Sequence, residues 1–460
     1  AIPAVTPLPA NWSAPGRKGL QHVPTIASAY PVIDPAPHPF TIANYRYLWF
    51  SRLASMFALY AMMLILGWQA YNLAREDMGI SASAGILGLL GLLQFVPLFI
   101  LTPLVGWVAD HMDRRWIARI VLAAQALIAL ALGLMTASGG ITLWSIYVIA
   151  VLLGICRAFL GPAVTSLAPN LVPKASIPRA IALSTIAWQV GVIAGPGMAG
   201  PLYKVDAALP YFICAGLYAL ATLAIFLIGP VPRPTADKTK GPLQQVGDGM
   251  AYVWTNKLVL GAITLDLLVM FLAGATAMIP VFAKDILHAG EIGLSLLAAS
   301  PAVGAVIVAL IFSFAPLSKN VGNSMLAAMA VFGLGTIGFG LSTNLYLSMA
   351  CLGLCGAADM FGVYVRSSLI QLHTPDAKRG RVGAVSQMTI SASNELGDAL
   401  SGGLAVLVGP VAAIVAGGAG AIVVTGLWSR LFPQLGAAKT FDPPEELEPE
   451  QAEQTKRSAG

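Results

Sequence analysis

The sequence predicts an all-α membrane protein whose twelve transmembrane helices form two pseudo-symmetric six-helix bundles. The first reason is composition: 57% of the 460 residues are hydrophobic and 10% are charged, whereas an ordinary soluble domain is about 25% charged. The second is a series of long apolar runs, and the third is an internal repeat within that series. So much apolar surface cannot be hidden inside a water-soluble core, so lipid must solvate part of it.

Each apolar run is long enough to cross a bilayer, whose hydrocarbon core of about 30 Å needs about 20 helical residues. Short polar or Gly- and Pro-containing turns separate the runs, and the last two are divided only by the turn "VGP". The predicted spans are 46–73, 83–109, 116–137, 142–170, 177–203, 208–229, 256–283, 291–314, 321–342, 345–372, 381–408 and 410–431.

Polar segments divide the chain into five parts. Residues 1–43, with nine prolines in the first 40 positions, and residues 433–460 are predicted to be disordered cytosolic tails. Residues 44–230 and 256–432 are predicted to be the N-terminal and C-terminal six-helix bundles. Residues 231–255 are predicted to be a cytosolic linker between them.

Basic residues mark one side of the predicted membrane domain. Only Arg75, Lys204 and Lys284 fall in the loops of the other side. Because Lys and Arg concentrate in cytosolic loops, both termini are expected to be cytoplasmic. The basic residues of the rich side are Arg114, Arg115, Arg119, Lys174, Arg179, Arg233, Lys238, Lys240, Lys319, Lys378, Arg379 and Arg381.

Helices 4 and 5 recur in the sequence as helices 10 and 11. When residues 152–200 are aligned with 354–402, 12 of the 49 positions are identical, and the matches extend through the polar loop to Pro173 and Pro375. Two parallel six-helix repeats about an axis along the membrane normal are typical of transporters that bind their substrate at the repeat interface.

The stretch "GWVADHMDRR" (106–115) is unusually charged for a segment between two apolar runs. It resembles the signature loop between helices 2 and 3 of the major facilitator superfamily, roughly G-x-x-x-D-R-x-G-R-R, although His111 stands where Arg is usual. The matching residues are Gly106, Asp110, Arg114 and Arg115.

Further stretches are similar to the branch of that superfamily that contains bacterial enterobactin exporters and related drug-efflux permeases. They are "NYRYLWFSRL" (44–53), "GWQAYNL" (67–73), "PVFAKDIL" (280–287), "RGRVGAV" (379–385), "SNELGDALSGG" (393–403) and "LFPQL" (431–435). The resemblance implies a multi-pass transporter of the bacterial inner membrane.

The resemblance also implies a gate, because the Asp and Arg residues of this loop lock and release the cytosolic ends of the two halves in the family. We therefore predict a gating loop formed by Gly106, Asp110, Arg114 and Arg115, with Arg381 in the second half. The alternative is that the basic residues only anchor the protein to anionic lipid.

Ionisable residues inside the spans are functional candidates, because each costs roughly 2.5–3.5 kcal/mol to insert. Arg157 aligns with Asp359 in the repeat, so the two can face each other and close the cytosolic side. Alternatively, Arg157 binds an anionic substrate and Asp359 a proton, or each pairs locally. The intramembrane charges are Arg157 on helix 4, Asp266 on helix 7, Asp359 and Arg366 on helix 10, and Glu395 and Asp398 on helix 11.

Three of these carboxyl groups, Asp266, Asp359 and Glu395, are the candidate proton-coupling groups. We expect no cofactor, and the proton gradient would supply the energy for transport. Arg157, Asp266, Asp359, Gln69 and Gln94 are predicted to line a substrate cavity. Structural hydrogen bonding is the alternative for each, and Arg366 is expected to snorkel toward the cytosolic end of its helix.

Helix 5 contains "GVIAGPGMAG" (191–200). Its residues Gly191, Gly195, Pro196 and Gly200 resemble the G-x-x-x-G-P-x-x-G signature of superfamily exporters that run as antiporters. Glycine allows close helix contact and proline bends the helix. Simple helix packing is therefore the alternative to a role in antiport, and both can hold at once.

These features predict an exporter of a small organic molecule, either a siderophore or a hydrophobic drug-like compound, that exchanges it for protons by alternating access. A proton-coupled importer of a small metabolite is the alternative. The five histidines form no metal-binding or catalytic spacing with other residues, so we expect no enzyme activity, metal or cofactor. The net charge of +5 does not indicate a nucleic-acid partner, because the basic residues cluster beside the membrane spans. We expect a monomer in the lipid bilayer. An outer-membrane efflux protein is a candidate partner.

Overall fold

Twelve long helices make up most of the part of the chain that the structure describes, as the sequence predicts. The computed structural model describes residues 37–230 and 242–441, and within these residues the regular structure is entirely helical. The helices are α1 (Ala43–Asp77), α2 (Ile80–His111), α3 (Arg114–Ala137), α4 (Leu143–Leu167), α5 (Ile177–Val205), α6 (Leu209–Phe226), α7 (Lys257–Leu272), α8 (Gly290–Phe314), α9 (Val321–Leu341), α10 (Leu345–Leu372), α11 (Asp376–Val408) and α12 (Pro410–Leu431).

Two further elements matter for the site. A linker helix, Pro242–Thr255, precedes α7. After Leu272 the chain of α7 is non-helical over 273–275 and then resumes as three short turns, Thr276–Met278, Ile279–Val281 and Phe282–Ile286. We call 276–286 the second segment of α7.

Local chemistry sets several helix ends. Thr142 and Ser145 form a reciprocal capping box at the start of α4, and Asn344 accepts two backbone N–H bonds at the start of α10, so exposed amide donors are satisfied. The sharp turn between α11 and α12 depends on Gly409, whose φ of 87° favours glycine, followed by Pro410 at the first helical position.

Eleven of these helices are long and apolar enough to cross a membrane, and the protein is a multi-pass membrane protein. Helix α11 is the exception among the described residues, because polar side chains such as Asn394, Glu395 and Asp398 interrupt its apolar sequence. A helix of this composition needs protein on the side that carries its charges.

The helices pack as two six-helix halves. In the first half α1 packs on α5 and α6, and α3 and α4 complete the bundle with α2. In the second half α7 packs on α11 and α12, and α9 packs on α10 and α12. The halves meet through two helix pairs, α2 with α11 and α5 with α8. These pairs occupy equivalent places in the two repeats, as expected for pseudo-symmetric bundles.

The halves are sealed at one end by an apolar cluster that both contribute to. Tyr71 and Leu87 of the first half are buried in it with Phe282, Leu294 and Phe339 of the second. This end, where α1 finishes, lies opposite the end that holds the start of α1 and the finish of α12, and we call it the distal end.

Two predicted disordered segments are partly wrong. Residues 37–43 are ordered, because Pro39 is buried and the Ser176 hydroxyl donates a 2.8 Å hydrogen bond to the Pro37 carbonyl. Residues 433–441 are ordered as well, because Leu435 is buried and the Ala438 carbonyl accepts a bond from the Gly322 amide. The tails 1–36 and 442–460, and linker residues 231–241, lie outside the described residues.

Helices α2 and α11 approach each other closely through glycine. A Cβ added to Gly402 would lie 2.5 Å from the Gly88 Cα atom, whereas one added to the next residue, Gly403, would meet no atom within 4 Å. The α2–α11 contact therefore depends on the absence of a side chain at position 402.

We predict that Gly402→Ala destabilises the protein by about 1–3 kcal/mol, because it forces two backbones apart. Gly403→Ala is the matched control, and it should leave stability unchanged or slightly higher, because alanine favours helix. Thermal unfolding of the purified protein measures both. Equal behaviour of the two variants would contradict the close contact.

Candidate functional site

An ion pair joins the two halves near the middle of the bundle. The Arg157 guanidinium on α4 donates to Glu395 Oε1 on α11 at 2.7 Å, and it also donates to Gln94 Oε1 on α2 at 3.3 Å. The Arg157 side chain is 23% exposed and that of Glu395 is 9% exposed. Each half thus contributes one charge to a contact that must break if the halves separate here.

A pair of aromatic side chains lies on one side of this ion pair. Tyr60 on α1 lies close enough to interact with the charges of Arg157 and Glu395, and its ring makes an edge-to-face contact with Trp188 on α5, with centroids 6.5 Å apart. A charged pair beside flat apolar rings suits an organic ligand that carries both ring surface and polar groups.

The proposed pairing of Arg157 with Asp359 is not what the structure shows. Arg157 binds Glu395 and Gln94, while Asp359 lies near Asp266 and Arg366 in the second half. The physical reason is that the halves meet through α2–α11 and α5–α8, so equivalent positions on α4 and α10 are not brought into contact.

Asp266 and Arg366 form a second, fully buried ion pair. It joins α7 to α10 within the second half, and both side chains are almost completely excluded from solvent. Arg366 therefore does not snorkel to the helix end as expected, because a carboxylate lies within reach inside the bundle. The Oδ1 atom of Asp266 has no hydrogen-bond partner.

Gln69 does not line the space between the halves. It is 4% exposed, accepts a 2.5 Å hydrogen bond from the Tyr211 hydroxyl and donates one of 3.1 Å to Thr136 Oγ1. These bonds hold α1 to α3 and α6, because a buried amide must find partners wherever packing supplies them. Of the two glutamines assigned to the cavity, Gln94 alone contacts the central ion pair.

Two of the predicted gating-loop residues, Arg115 and Arg381, form local ion pairs. Arg115 forms a 2.6 Å ion pair with Asp113, which caps α3, and Arg381 forms a 3.0 Å ion pair with Asp248 of the linker helix. Arg114 is the first residue of α3. Gly106 and Asp110 belong to α2, but their side chains lie outside the described residues, so the gate remains a prediction.

A polar cluster at the distal end was missed by the sequence analysis. Asp285 accepts hydrogen bonds from the Tyr71 hydroxyl at 2.6 Å and from Arg75 at 3.1 and 3.2 Å, and Lys284 donates one of 2.6 Å to Asn72. These bonds join α1 to the second segment of α7, and we call them the distal gate. The available signal was that Arg75 and Lys284 are basic residues on the side that is otherwise poor in them.

The glycine motif of α5 lies at close contacts on two sides. A Cβ on Gly191 or Gly195 would meet α1 backbone within 3 Å. Near Gly200, Ser295 of α8 accepts a bond from the Gly200 amide at 2.7 Å and donates one to the Pro196 carbonyl at 2.6 Å. The motif therefore packs α5 against its own half and joins it to the other.

Comparison with known proteins gives the family. Residues 48–389 match the sequence model of the Major Facilitator Superfamily. Macrolide efflux protein A of Streptococcus pyogenes is 24% identical over 333 residues, 70% of this chain and 81% of that protein. Enterobactin exporter EntS of Shigella boydii serotype 18 is 25% identical over 320 residues, 69% of this chain and 76% of that protein.

Solved structures agree on the fold. A bacterial homologue of the human lysosomal transporter Spinster, in an inward-facing and occupied conformation, superposes with a TM-score of 0.67 at 14% identity, covering 87% of this chain and 99% of that one. A D-xylose–proton symporter superposes with a TM-score of 0.65 at 12% identity, covering 85% and 98%. With the family model matching most of its length, this chain is a transporter that belongs to the Major Facilitator Superfamily.

Proposed function

We propose that the protein exports a small organic molecule across the bacterial inner membrane in exchange for protons, by alternating access. The observation that carries this proposal is the Arg157–Glu395 ion pair, which joins the halves beside Gln94, Tyr60 and Trp188. The relatives named as efflux proteins support the direction of transport.

The distribution of charge supports an inward-facing state. If the termini are cytoplasmic, as the excess of basic residues on their side favours, the distal end faces the outside. The distal gate and the apolar cluster around Phe282 then close the outer side. An exporter in this state is ready to receive a molecule from the cytosol or the inner leaflet.

Antiport needs a group that binds the substrate in one part of the cycle and a proton in the other. Glu395 is suited to this role, because its carboxylate is held by a guanidinium of the opposite half and accepts hydrogen bonds that a substrate can supply instead. A proton on Glu395 removes the charge that attracts both Arg157 and the substrate. Substrate and proton would therefore compete for one carboxylate.

Asp266 and Asp359 are less suited to direct competition with a substrate. Asp266 is paired with Arg366 inside the second half, where no contact with the first half is broken as the halves move. We propose that this pair stabilises the second half. Asp359 lies beside the pair, and the charges of Asp266 and Arg366 act on it.

We predict that Glu395→Gln reduces gradient-driven transport about tenfold or more, because it removes a charge-assisted hydrogen bond worth about 1.5–3 kcal/mol. Everted membrane vesicles with an imposed pH gradient, offered a macrolide and enterobactin separately as first probes, measure this. Arg157→Gln should lose transport similarly. Glu76→Gln, which changes an exposed carboxylate in the same way at the distal end of α1, is the control.

Two results would overturn the proposal. Transport in the Glu395→Gln vesicles equal to that of the Glu76→Gln vesicles would remove Glu395 from the site. Accumulation in right-side-out vesicles instead of everted ones would make the protein an importer.

We predict that Arg366→Met destabilises the protein by about 3–5 kcal/mol, because it leaves the buried Asp266 carboxylate without its partner. The double variant Asp266→Asn with Arg366→Met should recover most of this loss and should keep transport. Thermal unfolding and the vesicle assay measure the two properties. A stable double variant without transport would show that Asp266 acts in coupling.

A further inference from the structure

Helix α7 is interrupted where it passes α11. Its first segment ends at Leu272, residues 273–275 are non-helical, and the second segment begins at Thr276. Helices α7 and α11 approach closely at this point, because a Cβ on Gly274 would lie 2.9 Å from the Gly397 carbonyl carbon. The start of the second segment therefore packs against α11.

Asp398 of α11 holds the start of that second segment. Its carboxylate accepts a 3.2 Å hydrogen bond from the Thr276 hydroxyl, and the backbone amide of Ala277 lies beside the same carboxylate. Hydrogen bonds to an ionised carboxylate are roughly twice as strong as bonds between neutral groups. The strength of this contact thus depends on whether Asp398 carries a proton.

The second segment leads directly to the distal gate. It carries Lys284 and Asp285, whose bonds to Asn72, Tyr71 and Arg75 join the halves at that end. The segment is continuous in helical turns from Thr276 to these residues. A change in how Asp398 holds its start is therefore transmitted to the gate through about eight residues of ordered backbone.

Asp398 is also next to the central ion pair. It lies three residues after Glu395, so the two carboxylates share one face of α11. One binds Arg157 of the first half and the other binds the second segment of α7. Helix α11 thus connects the central ion pair with the element that closes the distal end.

The charged groups that face Asp398 are few. On α11 there is Glu395, and from α4 the charge of Arg157 reaches the site. Helix α2 packs there with Gly88 and Gly91, which carry no charge, and α7 contributes Thr276. The only charged residue of α12 is Arg430 in its last turn.

We propose that Asp398 is a proton-binding site that locks the distal gate. In its ionised form it holds the second segment of α7 in the position where Asp285 reaches Tyr71 and Arg75. A proton that adds to the carboxylate weakens the bond from Thr276 and the attraction of the nearby Ala277 amide, releases the segment and allows the gate to open. This deepens the proposed function and rests on it, because exchange without leakage requires that the empty, unprotonated carrier does not change state.

The test measures the distal gate directly, without a substrate. Spin labels at Val205→Cys on α5 and Tyr346→Cys on α10 sit on highly exposed positions, 78% and 77% exposed, at the distal ends of opposite halves. The four native cysteines are replaced by serine first. The distance distribution between the labels then reports the closed and open populations at pH 8 and at pH 5.5.

Lowering the pH should increase the open population of the parent protein. Asp398→Asn should raise the open population at pH 8 by roughly tenfold, because it mimics the protonated group and loses charge-assisted bonds, and it should remove most of the further increase at pH 5.5. Asp398→Glu should restore closure at pH 8 together with the pH response. Thr276→Val should raise the open population at pH 8 by a smaller factor and keep the response to pH.

An Asp398→Asn protein that is as closed as the parent at pH 8 would overturn the proposal. If that variant does not fold, Thr276→Val decides, and a population equal to that of the parent would overturn it. Comparison at pH 8 matters because Asp285 is itself a carboxylate in the gate. The distance measurement is independent of flux, so failure of the export assay and failure of this lock are separate results.

Discussion

The constraint on which the structure depends is that a charge inside the membrane must have a partner within the protein. Two described ion pairs meet it in different ways. Asp266 and Arg366 neutralise each other inside one half, which stabilises that half and leaves it a rigid unit. Arg157 and Glu395 neutralise each other between the halves, so this contact changes whenever the halves move.

Ion pairs within a half and ion pairs between halves have different roles. Pairs within a half, such as Arg115 with Asp113 and Arg381 with Asp248, fix helix ends and the linker helix. Pairs between halves, at Glu395 in the middle and at Asp285 in the distal gate, must break if the halves separate at those levels. A ligand that binds better to one arrangement of the halves than to the other shifts the protein toward that arrangement.

Most of the fold could be predicted from the sequence. The long apolar runs reflect the thickness of a bilayer, and the repeat of 152–200 at 354–402 reflects the similarity of the two halves. The partners of individual charges could not. Repeat symmetry suggested Arg157 with Asp359, but the halves meet through α2 and α11, and that packing chooses Glu395. Gln69 was misplaced because an amide in a span satisfies its bonds on whichever face packing provides them, here at Tyr211. Charges near helix ends, such as Arg75, look like membrane anchors in the sequence, although Arg75 binds Asp285 in the other half.

The proposed antiport depends on competition between substrate and proton for Glu395. Measuring the affinity of the purified protein for its transported compound from pH 8 down to about pH 4, in the parent and in Glu395→Gln, checks this, since competition at one carboxylate makes binding depend on pH. We expect the affinity of the parent to fall more steeply with falling pH than that of Glu395→Gln, which keeps only the pH response of the other carboxyl groups, Asp398 among them. An equal pH dependence in both proteins would contradict competition at Glu395.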